Sequence, residues 1–212
     1  MQQRQLFSPR TQGGFTLVEI SIVLVIIGLL LGGVLKGGEI IENTKVKSVY
    51  NSYRELSAAV NSHQDRYGAL PGDDNQATTR GFSNTPVAVV NGNSNAYIDR
   101  TVNYCGPAST GESCQALVQM RQAGFISGFG SAAPQHAFGG NISVSRTLGY
   151  GFPGGFNRPV AVCFNNLVNK VARQLDNKFD DRNYNSGSIR GLGDYNLGAP
   201  DGRVGDHTCI VA

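Results

Sequence analysis

Apolar side chains fill residues 15 to 35 almost without interruption, and Glu19 is the one ionisable residue among them. A run of about 20 such residues is what a helix needs to cross the hydrocarbon core of a bilayer. From Glu39 the pattern changes. Val46, Val49, Tyr53, Leu56, Val60, His63 and Tyr67 recur at steps of three and four, and Lys45, Lys47, Arg54, Glu55 and Asp65 take the opposite side. That spacing predicts an amphipathic helix with one face laid on a globular core, His63 included as a packed structural residue. Between the two stretches lie Gly32, Gly33, Gly37 and Gly38, each costing a helix interior about 1 kcal/mol relative to alanine. The helix is therefore expected to loosen there, unless the small residues serve close packing on a neighbouring helix. From Phe15 to Tyr67 it would be on the order of 80 Å long. Gly68 and Pro71 supply its stop signals.

Beyond Pro71 the periods are shorter. Pro86 to Val90 is an apolar run that reads as a strand, and Glu112 to Phe125 reads as a short helix through Leu117, Met120, Arg121 and Phe125. Asn141 to Ser145 alternates like a strand, Pro159 to Phe164 is a second apolar run, and Leu167, Val171, Leu175 and Phe179 predict another helix of about fifteen residues. Gly187 to Asp206 reads as a loop-rich tail, followed by a closing strand at Cys209 to Val211. The expected fold class is α+β: a long N-terminal helix, transmembrane then amphipathic, packed on a small antiparallel sheet with two short helices and long loops.

Composition and charge narrow the function classes. The 212 residues carry 18 Lys and Arg against 15 acids; without Arg4 and Arg10 the balance is 16 to 15, and no basic stripe points to nucleic acid. The 28 glycines and the absence of Trp suit a loop-rich surface domain better than an enzyme core. No G-x-S-x-G, H-E-x-x-H or P-loop occurs, nor a Cys with an obvious His partner, so no enzymatic activity is expected.

The N-terminus holds the most specific signal. Residues 1 to 14 carry Arg4 and Arg10 with no acid, which by the positive-inside rule places them in the cytoplasm and the rest of the chain across the membrane. A secretory signal peptide has a shorter apolar core and an A-x-A-like site, which is missing after Leu35. A plain single-span anchor explains length and orientation but leaves Gly13-Gly14 and Glu19 as accidents. Gly14-Phe15-Thr16-Leu17-Val18-Glu19 resembles the processing site of type IV pilins and type II secretion pseudopilins. The resemblance covers residues 13 to 67, with the remainder similar only through its strands and disulfide-closed C-terminal region.

That resemblance implies cleavage by a prepilin peptidase after Gly14 and N-methylation of Phe15. It implies that Glu19 meets the N-terminal amine of a neighbouring subunit, which pairs two otherwise costly buried charges. Such a head-to-tail contact propagates into an open helical filament. The implied segments are a cytoplasmic leader at 1–14, a membrane and filament-core half-helix at 15–38, an amphipathic half at 39–67 and a globular head at 68–212. The implied partners are other pilin subunits, the peptidase, an inner-membrane assembly platform, and membrane lipid before assembly. The implied location is the bacterial inner membrane, then a periplasmic or extracellular filament. The chain departs from the family in having no proline between Phe15 and Pro71. A minor or tip pilin that binds DNA, a surface or an exported protein is the alternative, and a membrane-anchored enzyme is a third.

Cys105, Cys114, Cys163 and Cys209 all lie beyond the span, in a compartment that on this reading favours disulfides. Three pairings are open; Cys105 with Cys114 and Cys163 with Cys209 are favoured, the first closing a small loop around Gly106-Pro107 and the second joining two apolar stretches. Zinc is not expected, because no C-x-x-C occurs and His63, His136 and His207 are scattered. No metal or cofactor is assigned. Calcium is the candidate that clustered acids would admit: Asp73 and Asp74 after the Pro-Gly turn, or Asp180, Asp181, Asp194, Asp201 and Asp206 in the tail. Some pseudopilins hold calcium in a C-terminal loop, so the tail is the better of the two. Asn91 to Asp99 has the rhythm of a calcium loop but lacks its carboxylates and closing glutamate.

Overall fold

The computed structural model describes residues 14–82, 87–99, 105, 109–148, 152, 155–191 and 207–211. Helix α1 spans Leu17–Tyr67, α2 Glu112–Gln122 and α3 Asn169–Phe179, with a short 3-10 turn at Ala77–Thr79. Strands β1 (Ile142–Ser145), β2 (Ala161–Asn165), β3 (Ile189–Gly191) and β4 (His207–Val211) form one antiparallel sheet in the order β1-β2-β4-β3. The layout is α+β. The chain divides into two compact units, residues 1–43 and 44–212.

In the first unit α1 continues without a break through Gly32, Gly33, Gly37 and Gly38, so the expected loosening is absent. Nothing lies within 4 Å of where a Cβ would stand at any of the four. The glycines lower helix propensity by about 1 kcal/mol each but leave every backbone donor and acceptor in place, and the apolar turns before them carry the helix across.

In the second unit the three-and-four pattern lands where it was expected. Val46, Val49, Leu56, Val60 and His63 of α1 are buried, and Tyr53 and Tyr67 half-buried. Their apolar members share one core with Leu117 and Met120 of α2, Ile142 and Val144 of β1, Val162 and Phe164 of β2, and Ile210 of β4. Tyr53 also donates from its hydroxyl to the Val211 carbonyl at 2.7 Å, tying the helix to the last strand. Strand β2 is apolar on both faces for a reason visible in its register. Side chains alternate along a strand, so Val162 and Phe164 face the main core while Ala161 and Cys163 face a second cluster with Cys209 and Phe152. Cys163 sits directly opposite Cys209 and is bonded to it, and Cys105 is bonded to Cys114.

One predicted strand is absent. Pro86 lies outside the described residues, and Val87 to Val90 runs as irregular backbone. Val87 and Val89 pack on Val118 of α2, and backbone groups of Ala88 and Val90 bond to two buried glutamines. Gln115 accepts from the Val90 amide and donates to the Ala88 carbonyl, and Gln119 donates to the Val90 carbonyl. Gln119 also accepts from the Gly72 amide at 2.7 Å. Gly72 has to be glycine: at φ +85 a Cβ would come within 2.2 Å of the Glu112 carbonyl oxygen. The helices α2 and α3 are each 11 residues: α2 stops at Gln122, short of Phe125, while α3 starts at Asn169, past Leu167, and ends with the apolar pattern at Phe179; β3 falls inside the stretch that reads as tail.

His63 lies against Tyr67 and Phe125, and its Nδ1 is 3.0 Å from the Ala69 carbonyl, an acceptor, so this nitrogen carries the proton. Burial holds its pKa below the ordinary 6.5, with the Ala69 hydrogen bond opposing in part. A depressed folded-state pKa means stability that is fully present above the unfolded value and lost as the pH falls through the folded one. Unfolding free energy from urea titration is therefore expected to drop below about pH 6.5, and less steeply in His63→Gln. An unchanged slope in the variant would assign the loss elsewhere, to His136 first, which burial depresses in the same way.

Candidate functional site

Helix α1 begins at Leu17, so Gly14, Phe15 and Thr16 are non-helical, and both Gly14 and Phe15 are exposed. A protease has to draw an extended strand of backbone into its cleft, and the Gly14–Phe15 bond already lies outside the helical hydrogen-bond ladder. Residues 1–13, with Gly13, Arg4 and Arg10, lie outside the described residues.

Thr16 and Glu19 form a reciprocal cap on the first turn. Glu19 Oε2 accepts from both the Thr16 amide and the Thr16 hydroxyl at 2.8 Å, and Thr16 Oγ1 accepts from the Glu19 amide at 3.2 Å. This is a capping box, which satisfies donors that the start of any helix leaves free. Thr-x-x-Glu ahead of an apolar run is its sequence signature, legible at Thr16-Leu17-Val18-Glu19 and distinct from the question that a charge in an apolar run poses. The box compensates the polarity of Glu19 but not its charge: among the described residues no cationic side chain forms an ion pair with it.

From Phe15 to Leu35 the large apolar side chains are 46% to 90% exposed. Water does not tolerate a contiguous surface of that kind, so lipid or another protein has to cover it. The stretch is long and apolar enough to cross a membrane. Just past it Lys36 and Glu39 form an exposed ion pair at 2.8 Å.

The other acids singled out by sequence have structural work. Asp73 is buried and accepts from the Asn95 and Ala96 amides, while Asp74 accepts from the Gln76 amide and pairs with Arg80 at 2.9 Å. Glu112 accepts from the Asn93 and Asp99 amides. Burial pushes the Glu112 carboxyl up, against those two hydrogen bonds and with help from Asp73 and Asp99. Together these carboxylates shape the loop 91–99. Asp180 and Asp181 meet Asp176, a residue the sequence reading did not select, whereas Asp194, Asp201 and Asp206 lie outside the described residues. The histidines stay apart: His63 is on α1, His136 donates to the Asn165 carbonyl through Nε2 at 2.8 Å, and His207 opens β4.

Residues 9–35 match the family described as the prokaryotic N-terminal methylation motif, the signature of type IV pilins and pseudopilins. The match ends where the apolar stretch ends, at Leu35, and does not extend to residues 36–212. No curated protein and no solved structure matches the chain.

Proposed function

We propose that the chain is a structural subunit of a type IV pilus or type II secretion pseudopilus, and not an enzyme. A prepilin peptidase cleaves after Gly14, Phe15 becomes the methylated N-terminal residue, and the subunit waits in the inner membrane on the apolar half of α1. An assembly platform then moves it into a periplasmic or extracellular filament, where the same apolar surface is covered by neighbouring helices. Glu19 takes the N-terminal amine of a neighbour as its counter-charge. The observation that carries this reading is the coincidence of the methylation motif at 9–35 with an exposed apolar helix that starts three residues after Gly14.

Intact-mass measurement on protein from its native membrane or from a sheared surface fraction tests it. The expected mass lacks residues 1–14 and carries one added methyl group. Full-length mass in cells with an active prepilin peptidase would overturn the reading and leave an ordinary anchored domain.

A further inference from the structure

The loop after α2 holds an aromatic ring out in solvent. Phe129 is 75% exposed, between Gly128 and Gly130 at φ +110 and +67. Arg121 of α2, half-buried, fixes this loop with its whole guanidinium: Nε donates to the Ser127 carbonyl at 3.4 Å, Nη1 to Gly130 at 2.6 Å and Nη2 to Ala132 at 2.7 Å. A Cβ at position 128 would come within 2.9 Å of that Nε. Among the described residues Arg121 forms no ion pair, and no hydrogen-bond partner reaches the main chain of Gly128 or Phe129. A lone exposed apolar side chain is ordinary. One whose loop is tied down at three carbonyls by a partly buried cation is pre-organised for a contact, because the ordering is done before binding.

A cleft of about 440 Å³ opens elsewhere on the same compact unit. Val60, Leu70, Pro159 and Val160 give it aliphatic walls, and the buried Asp73 also lines it. Asp73 accepts from the Asn95 and Ala96 amides, and Ser94 and Ala96 stand beside the cleft at φ +58 and +65, where residues other than glycine are uncommon. No cationic side chain among the described residues pairs with Asp73. Asn61 and Gln64, exposed on α1, bring to the cleft two side-chain amides that have no partner among the described residues.

The ring and the cleft do not meet within one chain. Ser52, Glu55 and Leu56 lie by Ile126 and Ser127, at the root of the Phe129 loop, whereas Val60, Asn61 and Gln64 line the cleft. At about 100° per residue the two sets stand roughly 130° apart around α1. They nevertheless correspond in kind: an apolar ring and aliphatic walls, unbonded main chain and unbonded amides, a loop backed by an unpaired cation and a cleft lined by an unpaired anion. We propose that Phe129 of one copy of this chain enters the cleft between α1 and the loop 91–99 of the next copy, where Asn61 and Gln64 take the main chain of Gly128 and Phe129. Because the two surfaces are different, the contact is head-to-tail and repeats into an open array instead of closing a dimer. It rests on the filament reading and gives the globular unit a docking surface of its own beside the apolar half of α1.

Filaments sheared from native cells, quantified against total membrane-bound subunit, test the contact. Phe129→Ser deletes the ring and Asn61→Trp fills the cleft; both positions are exposed, so the full chain in detergent should melt as the parent does. Each should lower filament yield by about tenfold or more. Benzoylphenylalanine at position 129 keeps an aromatic ring, and irradiated filaments should then give a dimer of this chain. Its cross-link, located by mass spectrometry, should join position 129 to residues 60–73, 94–96 or 159–160. Parental yield from either variant would overturn the contact and leave the filament reading standing, as would irradiated filaments that lack this cross-link or carry it only to another protein. A parent that makes no filament would overturn the filament reading and this contact with it.

Discussion

Replacing Glu19 with glutamine is expected to cut filament yield by about 100-fold or more, with membrane insertion and cleavage after Gly14 unchanged. Glu19 has two possible tasks, and glutamine separates them. Its amide oxygen can still accept from the Thr16 amide and hydroxyl, so the capping box at the start of α1 survives. Its negative charge is gone, and with it, under the proposed assembly, the counter-charge for a cleaved neighbour's Phe15 amine. Removing one partner of a buried ion pair costs about 3–5 kcal/mol, a factor of more than 100 in an association constant. Thr16→Val is the complement: it deletes the hydroxyl and keeps the charge, costs about 1 kcal/mol at the helix start, and should lower yield less than tenfold. Sheared filament protein, quantified against total membrane-bound subunit, reads both. Normal assembly of Glu19→Gln beside poor assembly of Thr16→Val would make the local cap, and not an ion pair between subunits, the role of Glu19.

Legibility in the sequence followed how local the determining physics is. The long helix was written in two periods, a continuous apolar run and then the steps from Val46 to Tyr67, and both are properties of neighbours along one chain. Strands β2 and β4 were legible as apolar runs because both of their faces are covered. Val87 to Val90 carried the same signal and is no strand, since its backbone found Gln115 and Gln119, residues that composition reads as surface polar. Strand β3 was hidden for the opposite reason. Ile189-Arg190-Gly191 has one apolar residue, and its pairing with β4 is a tertiary fact with no local period. Asp176 follows Leu175 in a helix where a polar residue at that step reads as solvent-facing; only the return of the loop after α3 buries it. The Thr16–Glu19 cap was local and fully legible, yet it answers a different question from the one the charge of Glu19 poses.

Converting both Cys163 and Cys209 to alanine is expected to lower the unfolding free energy by about 4 kcal/mol, the value for constraining a loop of this length in the unfolded chain. The sequence separation is 46, against 9 for Cys105 and Cys114, whose removal should cost about 3 kcal/mol on the same account. Placement widens the gap. Cys163 and Cys209 face each other across β2 and β4, the two inner strands of the sheet, and both are fully buried beside Ala161 and Phe152. Alanine leaves space there that the surrounding side chains fill only in part, which adds a cavity cost to the entropic one. Strand β4 retains its pairing to β3 and the Tyr53 hydroxyl bond to Val211, so the sheet should weaken and not rearrange. Urea denaturation of the two double variants measures the difference directly. A loss under about 1 kcal/mol for the Cys163 and Cys209 pair would mean that residual structure already holds β2 and β4 together in the unfolded chain, and that the bond adds little to what the apolar strands do alone.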